Sequence, residues 1–576
     1  MAMNTVLWII GLFCFSVFIS HGVEASHLYY RNLQSLQSTS IPKSQPYRTG
    51  YHFQPSKNWM NDPNGPMVYK GIYHLMYQWN PLGVVWGNIV WAHATSTDLV
   101  NWIHHKHAIV TSEPFDIKGV WSGSTTFVNG KPIIQYTGII ESNQWNYQVQ
   151  NMAVPKNLSD PYLVEWDKPA KWNPIMKPTD GVNASAFRDP TTAWKGPDGR
   201  WRTIIGSKID RKGMAIMYRS KDFIHWIKAR KPLHSARNTG MWECPDFFPV
   251  ALKGMNGVDT SAMGPLVKHV MKVSLDDTRH EYYTVGMYDH VKDRYIPDQG
   301  SIESDTGLRY DYGKFYASKT FFDHEKNRRV LWGWINESST VEEDTKKGWS
   351  GLQAVPRTLW LDHSGKQLKQ WPVREINSLR AKRAILPSQV LKRGSAIKIS
   401  GITASQADVD VHFELPKLAD AEIMDPSWVN PQLLCSAKPA SAKGKLGPFG
   451  LLVLASKKFE EQTAIFFRVY NNHGKYVVVM CSDQSRSSLE ESNDKTTYGA
   501  FVNVDPYHDK LSLRSLIDHS IVESFGVGGK ACITARVYPK LAIGGGAQLY
   551  VFNNGTQNVK ISSLKAWSMK KAHIKY

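Results

Sequence analysis

The sequence predicts an all-β protein in two parts, an N-terminal part built from repeated strand units and a C-terminal β-sandwich. Short strand-like runs, separated by Gly, Pro, Asn and Asp turns, begin near Thr49, and no long amphipathic helix pattern interrupts them up to about residue 370. From about Ile397 onward the runs alternate apolar and polar residues. Because 576 residues exceed one ordinary core, two or more domains are expected.

A strand–turn–strand pattern occurs twice in the N-terminal part. Residues 96–102 (Ser-Thr-Asp-Leu-Val-Asn-Trp) match residues 220–226 (Ser-Lys-Asp-Phe-Ile-His-Trp) in form, and each segment follows a β-like run. A unit that recurs in this way is typical of the blades of a β-propeller, although unrelated hairpins can share the same turn chemistry by coincidence.

The distribution of tryptophan marks the boundary between the two parts. Most of the 21 tryptophans lie between Trp59 and Trp371, and a short helical pattern follows. We therefore expect a propeller, a linker and a β-sandwich at residues 49–375, 376–396 and 397–576. The clearest strand patterns of the sandwich lie at residues 409–415, 464–470 and 476–480.

The N-terminus predicts a secreted protein. Residues 1–25 contain an apolar run of about fourteen residues, followed by Val23-Glu24-Ala25 as a site for signal-peptide cleavage. A membrane anchor is the alternative, but a span needs about 20 apolar residues. Residues 26–48 are polar and form a leader, and no later apolar run is long enough for a span.

The formal net charge of +19 predicts an acidic partner. The basic residues are dispersed and form no long block, which argues against nucleic acid; for a secreted protein an acidic cell-wall polysaccharide is the expected partner. Four glycosylation sequons agree with secretion, at Asn157, Asn183, Asn336 and Asn554.

The cysteines predict one disulfide. Four of the 5 cysteines remain after removal of the signal peptide, too few for a disulfide scaffold, and no CxxC pair indicates zinc. Cys435 and Cys481 flank strand-like runs in the same later region, so a bridge between them is predicted.

Three acidic motifs carry the expected chemistry: residues 61–63 (Asn-Asp-Pro), 188–190 (Arg-Asp-Pro) and 242–246 (Trp-Glu-Cys-Pro-Asp). The first is typical of a tight turn, with Asp62 where a strand ends. Arg188 is expected to hold Asp189 ionised, and the apolar neighbours of Glu243 to raise its pKa. One ionised and one protonated carboxylate suit glycosidic cleavage, whereas each motif alone could be a structural turn.

Together these motifs resemble glycoside hydrolase family 32, the β-fructofuranosidases. The matching stretches are Trp-Met-Asn-Asp-Pro-Asn-Gly at 59–65, Phe-Arg-Asp-Pro at 187–190 and Trp-Glu-Cys-Pro-Asp-Phe-Phe at 242–248, and the resemblance runs from about Tyr51 to the C-terminus. Within the family, the chain is similar to the plant cell-wall acid invertases. The implied fold is a five-bladed β-propeller followed by a β-sandwich.

The resemblance implies a role for each acid. Asp62 is the expected nucleophile, and Glu243 the acid that protonates the leaving oxygen and then deprotonates water. Asp189, with Arg188, is expected to hold fructose hydroxyls and stabilise the transition state. Retention of configuration then implies carboxyl groups of Asp62 and Glu243 about 5–5.5 Å apart. No metal or other cofactor is implied.

Further substrate contacts are expected from amides that hydrogen-bond the fructosyl ring and from side chains that line the pocket. These residues are Asn61, Gln78, Trp59, Trp86, Trp121 and Ser122. For the tryptophans, packing in the core is the alternative.

Asp276 and Arg279 favour sucrose as the substrate. In the invertases that the chain resembles, an acid with a basic partner three positions later orients the glucose side of sucrose, and fructan exohydrolases tend to lack that acid. A solvated ion pair is the structural alternative, and release of fructose from inulin- or levan-type fructans is the alternative activity. A silent sugar-binding propeller is disfavoured because all three acids are present.

Pro245 implies an apoplastic enzyme with an acidic optimum, since vacuolar relatives have valine at this position. The acidic optimum also agrees with Glu243 acting first as an acid. Plant members of this group resemble targets of small proteinaceous inhibitors, which makes such an inhibitor a candidate partner.

Overall fold

The computed structural model describes residues 44–506 and 509–576. The predicted signal peptide at residues 1–25 and most of the predicted leader lie outside this range. The described chain is all-β with a propeller in its N-terminal part and further sheets in its C-terminal part, which confirms these broad features of the prediction. Its α-helices are short, α1 (Val341–Lys347) and α2 (Pro431–Ala437), and within the described range no helix combines the length and apolar character that a membrane crossing requires.

The strands of the N-terminal part belong to five sheets, in which most neighbouring strands pair antiparallel. The first two sheets contain β1 (Asn58–Tyr69), β2 (Ile72–Trp79), β3 (Val90–Ser96) and β4 (Trp102–His104), then β5 (Gly119–Val128), β6 (Lys131–Ile139), β7 (Gln148–Pro155) and β8 (Trp166–Asp167). The third contains β9 (Phe187–Arg188), β10 (Trp194–Lys195), β11 (Trp201–Ile209), β12 (Lys212–Ser220), β13 (Trp226–Lys228) and β14 (His234–Ala236).

The remaining two sheets of this part follow in chain order. The fourth contains β15 (Trp242–Ala251), β16 (Val267–Leu275), β17 (His280–Asp289) and β18 (Arg294–Pro297). The fifth contains β19 (Tyr316–Asp323), β20 (Arg328–Ile335), β22 (Leu352–Gln353), β23 (Arg357–Leu361) and β24 (Leu368–Pro372). Between β20 and β22, β21 (Trp349–Ser350) pairs in parallel with β1, so the last sheet is joined to the first.

The repeated turn predicted from the sequence is present in two of these sheets. After β3, Ser96 Oγ accepts the backbone N–H groups of Asp98 and Leu99, and Asp98 Oδ1 accepts two others. After β12, Ser220 and Asp222 accept the same set of hydrogen bonds. Equivalent turns that lead into the outer strands β4 and β13 of separate sheets agree with the repetition expected of a propeller.

The prediction of a tight turn that ends a strand at residues 61–65 is wrong. β1 runs through this segment, and its register against β2 shifts between Met60 and Pro63, which is a β-bulge. Proline is tolerated at a bulge because the ladder is interrupted there. Asp62 therefore lies at an irregular point inside a strand, where the bulge redirects its side chain.

Two seven-stranded sheets form the C-terminal part. One contains β25 (Arg380–Leu386), β26 (Gln389–Leu391), β28 (Gln406–Glu414), β34 (Leu511–Asp518), β35 (Ile521–Gly526), β36 (Ala531–Arg536) and β38 (Val559–Met569). The other contains β27 (Ser395–Lys398), β29 (Glu422–Ile423), β30 (Leu446–Ala455), β31 (Thr463–Asn472), β32 (Lys475–Asp483), β33 (Tyr498–Val502) and β37 (Gln548–Asn553). Both sheets contribute to one hydrophobic core, for example through Val409 and Leu451.

The segment expected to be a linker, residues 376–396, instead contributes to these sheets. A 3₁₀ helix (Arg374–Leu379) leads directly into β25, and β25 and β26 both pair with β38. The other short 3₁₀ helices are Leu418–Asp420 and Gly544–Gly546. The strand patterns predicted at residues 409–415, 464–470 and 476–480 lie in β28, β31 and β32.

The predicted disulfide is present and joins Cys435 of α2 to Cys481 of β32. Within the described range, Cys244 and Cys532 are buried free thiols. The disulfide therefore fixes the short helix against the sheet of the C-terminal part.

Buried ion pairs hold the two parts together. Arg536 Nη1 donates to Glu337 Oε1 at 2.7 Å, and the ring nitrogens of His52 lie 2.9 Å from Asp518 Oδ2 and 3.0 Å from Glu523 Oε1. The last strand, β39 (Ile574–Lys575), pairs in parallel with β4 of the first sheet. Removing one partner of a buried pair typically costs about 3–5 kcal/mol, so these contacts couple the stability of the two parts.

Candidate active site

Three sheets bring the three acidic motifs together. Asp62 lies on β1, Asp189 directly follows β9, and Glu243 lies on β15. The thiol of Cys244, the residue after Glu243, lies 3.5 Å from Asp62 Oδ2 and 3.6 Å from Asp189 Oδ2. Motifs that are far apart in the chain therefore converge on one site.

The backbone is strained where the motifs meet. Asp189 and Cys244 have φ angles of 68° and 43°, in the left-handed region that costs a non-glycine residue about 1–3 kcal/mol. The N–H of Cys244 donates to Asp189 Oδ2, and the N–H of Asp189 donates to Thr137 Oγ1, each at 2.8 Å. These hydrogen bonds hold both residues in the conformation that turns their side chains toward the site.

A closed ring of hydrogen bonds surrounds Asp62. Asn61 Nδ2 donates to Asp62 Oδ1 at 3.0 Å and to Gln78 Oε1 at 2.6 Å. Gln78 Nε2 donates to Ser122 Oγ at 2.7 Å, and Ser122 Oγ donates to Asp62 Oδ2 at 2.5 Å. Trp59 Nε1 donates to Asn61 Oδ1 at 2.9 Å. Four residues expected to contact substrate therefore also fix the carboxylate of Asp62.

The environment of Asp62 favours its protonated form. Burial raises its pKa to about 6, and the charges of Asp189 and Glu243 act in the same direction. The hydrogen bonds from Ser122 and Asn61 oppose this shift, because they stabilise the carboxylate. Asp62 is therefore a group whose charge changes in mildly acidic solution.

Glu243 lies among cationic and hydroxyl donors. Arg188 Nε and Nη2 donate to Glu243 Oε1 at 3.1 and 2.9 Å. Arg279 Nη1 and Tyr316 OH donate to Oε2 at 3.1 and 2.6 Å. Burial would raise the pKa of Glu243, but the two guanidinium groups and the tyrosine hydroxyl hold it below its ordinary value.

The prediction that apolar neighbours raise the pKa of Glu243 is therefore wrong. Trp242 and Phe247 pack in one hydrophobic cluster and Phe248 in another, and Glu243 extends instead toward the charged groups of the site. Neighbours in a strand face opposite sides, so an aromatic sequence context does not give a carboxyl group an aromatic environment.

The expected pairing of Arg188 with Asp189 also needs correction. The guanidinium of Arg188 hydrogen-bonds Glu243 and, at 3.1 Å, Asp276 Oδ2. Burial raises the pKa of Asp189 above its ordinary value, and the nearby positive charge of Arg188 reduces this shift without reversing it. Arg188 therefore acts mainly on the other two acids.

Asp276 and Arg279 lie in the turn between β16 and β17 and pair at 3.0 Å. Since Arg188 contacts both Asp276 and Glu243, and Arg279 contacts Glu243, the four side chains form a closed ring of alternating charges. The Arg279 side chain is 61% exposed, which places the ring at the mouth of the site. The pair is thus coupled to Glu243 and is more than an isolated solvated ion pair.

Aromatic side chains form one wall of the site. Trp59 is buried and meets Trp334 edge-on at 5.5 Å, and the half-buried Trp86 and Trp121 meet edge-on at 5.6 Å. These four side chains share a cluster with Tyr316. The tryptophans named from the sequence therefore pack in the same cluster as Tyr316, whose hydroxyl donates to Glu243.

Sequence reasoning missed Tyr316 and Trp334. Neither lies in a charged motif, and the pairing of β19 with β20 places them opposite each other. A signal for them would have been the alignment of these two strands, which the sequence does not specify locally.

Two family models match consecutive parts of the chain. The glycosyl hydrolases family 32 N-terminal domain matches residues 52–372, and the family 32 C-terminal domain matches residues 375–568. Among curated proteins, the chain is 60% identical to the beta-fructofuranosidase, insoluble isoenzyme CWINV1, of Arabidopsis thaliana, with 99% of each chain covered.

Other relatives are fructan exohydrolases. The chain is 60% identical to the fructan 6-exohydrolase of Beta vulgaris, and the alignment covers 93% of this chain and 88% of that protein. The crystal structure of fructan 1-exohydrolase IIa from Cichorium intybus matches with a TM-score of 0.90 and 54% identity, covering 93% of this chain and 99% of the other. By its family domains, its relatives and its fold, this chain belongs to glycosyl hydrolase family 32.

Proposed function

We propose that this glycoside hydrolase is a secreted, retaining β-fructofuranosidase that cleaves sucrose into glucose and fructose. The observation that carries the proposal is the contrast between two carboxyl groups of one site. Asp62 is held by neutral donors, Asn61 and Ser122, whereas Glu243 is held by Arg188, Arg279 and Tyr316. Two carboxyl groups in different environments are what the retaining mechanism uses.

In the first step, a carboxylate oxygen of Asp62 attacks the anomeric carbon of the fructosyl unit, and Glu243 gives its proton to the glycosidic oxygen. Glucose leaves, and fructose stays bound to Asp62 as an ester. In the second step, Glu243 takes a proton from water, whose oxygen attacks the anomeric carbon and breaks the ester bond. Asp189 would accept hydrogen bonds from fructose hydroxyls and stabilise the positive charge of the transition state.

When Asp62 and Glu243 together hold one proton, that proton has to be on Glu243 for the first step. Because the pKa of Asp62 is raised to about 6 and that of Glu243 is lowered, the free site favours the opposite arrangement. The reactive form is then a minority of the singly protonated site. Hydroxyls of the fructosyl unit that donate to Asp62 would shift this balance toward the reactive form.

The glucose side of the substrate would meet Asp276 and Arg279 at the mouth of the site. The relative from Arabidopsis thaliana is named a beta-fructofuranosidase, and two others are named fructan exohydrolases. Release of terminal fructose from fructans is therefore the second candidate function. The presence of Asp276 within the ring of charges favours sucrose.

We propose the architecture of a five-bladed propeller and a β-sandwich. Five sheets that succeed one another in the chain, with β21 joining the fifth to the first, support five blades. Two seven-stranded sheets around one core support the sandwich. The end of β24 at Pro372 and the pairing of β25 with β38 support a boundary between the domains close to the predicted residue 375.

We propose the cell wall as the location. The relative from Arabidopsis thaliana is named an insoluble isoenzyme, and the net charge of +19 would retain the protein on an acidic polysaccharide. A small proteinaceous inhibitor stays a predicted partner.

The anomer of fructose that is released first tests the mechanism. With sucrose at about pH 5, NMR should show the β-anomer of fructofuranose before mutarotation, as retention requires. Asp62→Asn should lose at least about 10³-fold in kcat, while Asp277→Asn, an exposed acid near the mouth, should keep its activity. First release of the α-anomer, or full activity of Asp62→Asn, would refute the mechanism.

A further inference from the structure

A surface cavity of about 540 Å³ is lined in part by Ser185, whose carbonyl oxygen accepts a hydrogen bond from Arg188 of the ring of charges. Its walls are the turn between β6 and β7 and the segment that leads into β9, represented by Trp145 and Ser185. This volume falls within the roughly 300–1,000 Å³ of small-molecule sites. The cavity is therefore large enough for a sugar unit.

The sheet topology places this cavity at the catalytic end of the propeller. Ile139 at the end of β6 pairs with Gly119 at the start of β5, and Trp121 and Ser122 of the site follow closely on β5. The β6–β7 turn therefore extends from the same end of the sheet as the active site.

Arg188 connects the cavity to the leaving-group side of the active site. Its Nη1 donates to the carbonyl oxygen of Ser185 at 3.2 Å, while its Nη2 contacts Glu243 and Asp276. On one side of this guanidinium, Ser185 thus lines the cavity. On the other side, Glu243 and Asp276 would meet the leaving sugar. A ligand that passes the ring of charges would reach the cavity next.

The chemistry of the walls suits a neutral sugar. Trp145 presents an indole that is 60% exposed, and Tyr147 is half-buried beside the amide side chains of Gln144 and Asn183. Apolar C–H faces of sugars pack on aromatic rings, and sugar hydroxyls bond amides. Among the described residues, none of those that line the cavity has an acidic or basic side chain, which favours a neutral ligand.

We propose that this cavity is a distal subsite that binds the sugar unit beyond the first leaving sugar of a β-fructoside. The inference extends the proposed function and depends on it. Sucrose ends at its glucose and does not reach the cavity. Raffinose, which has a galactosyl unit on that glucose, does reach it, so Trp145 contributes to the binding of raffinose and not of sucrose.

The test compares the kinetics of two substrates and two inhibitors. Trp145→Ala should lower kcat/KM for raffinose about fivefold, mainly through KM, and leave sucrose within about twofold. It should also weaken inhibition by melibiose, the disaccharide that raffinose releases, more than inhibition by glucose. Tyr162→Ala, which removes another exposed ring, is the matched control. All proteins carry Asn183→Gln, so that no glycan stands in the cavity.

The outcomes separate the two proposals. If the parent protein, which carries Asn183→Gln alone, does not cleave sucrose, the proposed function fails. If it cleaves sucrose, but Trp145→Ala changes neither the raffinose-to-sucrose ratio of kcat/KM nor the inhibition by melibiose, the distal subsite is refuted. An equal loss for both substrates also refutes it, because Trp145 would then act on the common part of the reaction.

Discussion

Arg188 and Glu243 form a two-point contact in which Nε and Nη2 of the guanidinium both donate to Oε1, at 3.1 and 2.9 Å. This contact favours the ionised form of the group that has to supply a proton. The other oxygen of Glu243 accepts from Tyr316 at 2.6 Å, which acts in the same direction. The protonation of Glu243 is therefore the step that the site makes costly, and its dependence on pH is testable.

Tyr316→Phe should move the acid limb of the pH profile to higher pH. The hydroxyl stabilises ionised Glu243, so its loss raises the pKa of Glu243, and this group takes up its proton at higher pH. The alkaline limb, set by Asp62 with a pKa of about 6, should change little. Because the reactive form carries its proton on Glu243, its share of the singly protonated site should increase, and the maximum of kcat/KM should not fall.

The measurement is kcat/KM for sucrose across pH 3.5–8, a range of about 4.5 units that covers both limbs. Tyr282→Phe, which removes a buried hydroxyl from β17, is the matched control. An unchanged acid limb in Tyr316→Phe would show that Glu243 does not set this limb.

Asp276→Ala should change the preference between substrates. Its carboxylate links Arg188 and Arg279 at the mouth, where the glucose of sucrose would bind. KM for sucrose should rise about tenfold, whereas hydrolysis of inulin, which has no glucose next to the bond cleaved, should change less than about threefold. Steady-state kinetics on both substrates measure this shift.

Asp277→Ala is the control for this prediction, because Asp277 is the next residue and pairs with Arg211 outside the ring of charges. Equal losses on sucrose and inulin in Asp276→Ala would mean that the ring supports Glu243 generally and does not recognise glucose.

The convergence of Asp62, Asp189 and Glu243 could be anticipated from the sequence, because the three motifs are specific in residue type and order. Their electrostatics could not. Arg279 and Tyr316 are 36 and 73 positions from Glu243, and strand pairing alone brings them to its carboxylate. The same pairing directs Arg188 away from its neighbour Asp189.

The secondary structure could likewise be predicted from the sequence in some segments and not in others. The pattern of residues 464–470 was sufficient to predict β31, and the strand is buried on both faces, with Ile465 and Phe467 in one hydrophobic cluster and Phe466 in another. The pattern of residues 61–65 was not sufficient, because pairing of β1 with β2 overrides the local preference of Asn, Asp, Pro and Gly for a turn. Segment 376–396 was misread as a linker because its strands lack buried alternation.

Glycans are expected at three of the four sequons. Asn157, Asn183 and Asn336 are exposed. Asn554 is half-buried, and its Nδ2 donates to the carbonyl oxygens of Ala440 and Ser441 at 3.0 and 3.1 Å. Because glycosylation uses this nitrogen, peptide mass spectrometry of secreted protein should find the last site unmodified. Full occupancy of Asn554 would mean that modification precedes the folding of this loop.

Two buried histidines limit stability at opposite ends of the pH range. Burial alone would lower the pKa of His52, but its hydrogen bonds with Asp518 and Glu523 raise it to about 9. Burial lowers the pKa of His74 to about 3. The ordinary value for both in the unfolded chain is 6.5. Stability from His52 is therefore complete below 6.5 and is lost as pH rises through about 9.

His74 acts with the opposite sign. It stays neutral in the folded protein while the unfolded chain gains a proton below pH 6.5, so stability falls as pH decreases from 6.5 toward 3. Each pH unit in this range costs up to about 1.4 kcal/mol. Thermal unfolding should therefore give a higher Tm at pH 7 than at pH 5, with a second decline as pH rises from 7 to about 9 that His52→Gln reduces. A Tm that rises steadily from pH 7 to pH 4, a span of about three units, would contradict the neutral state of His74. Catalysis requires acidic solution, in which the buried neutral His74 lowers the stability of the folded protein. The enzyme is therefore expected to work at a pH below that of its maximum stability.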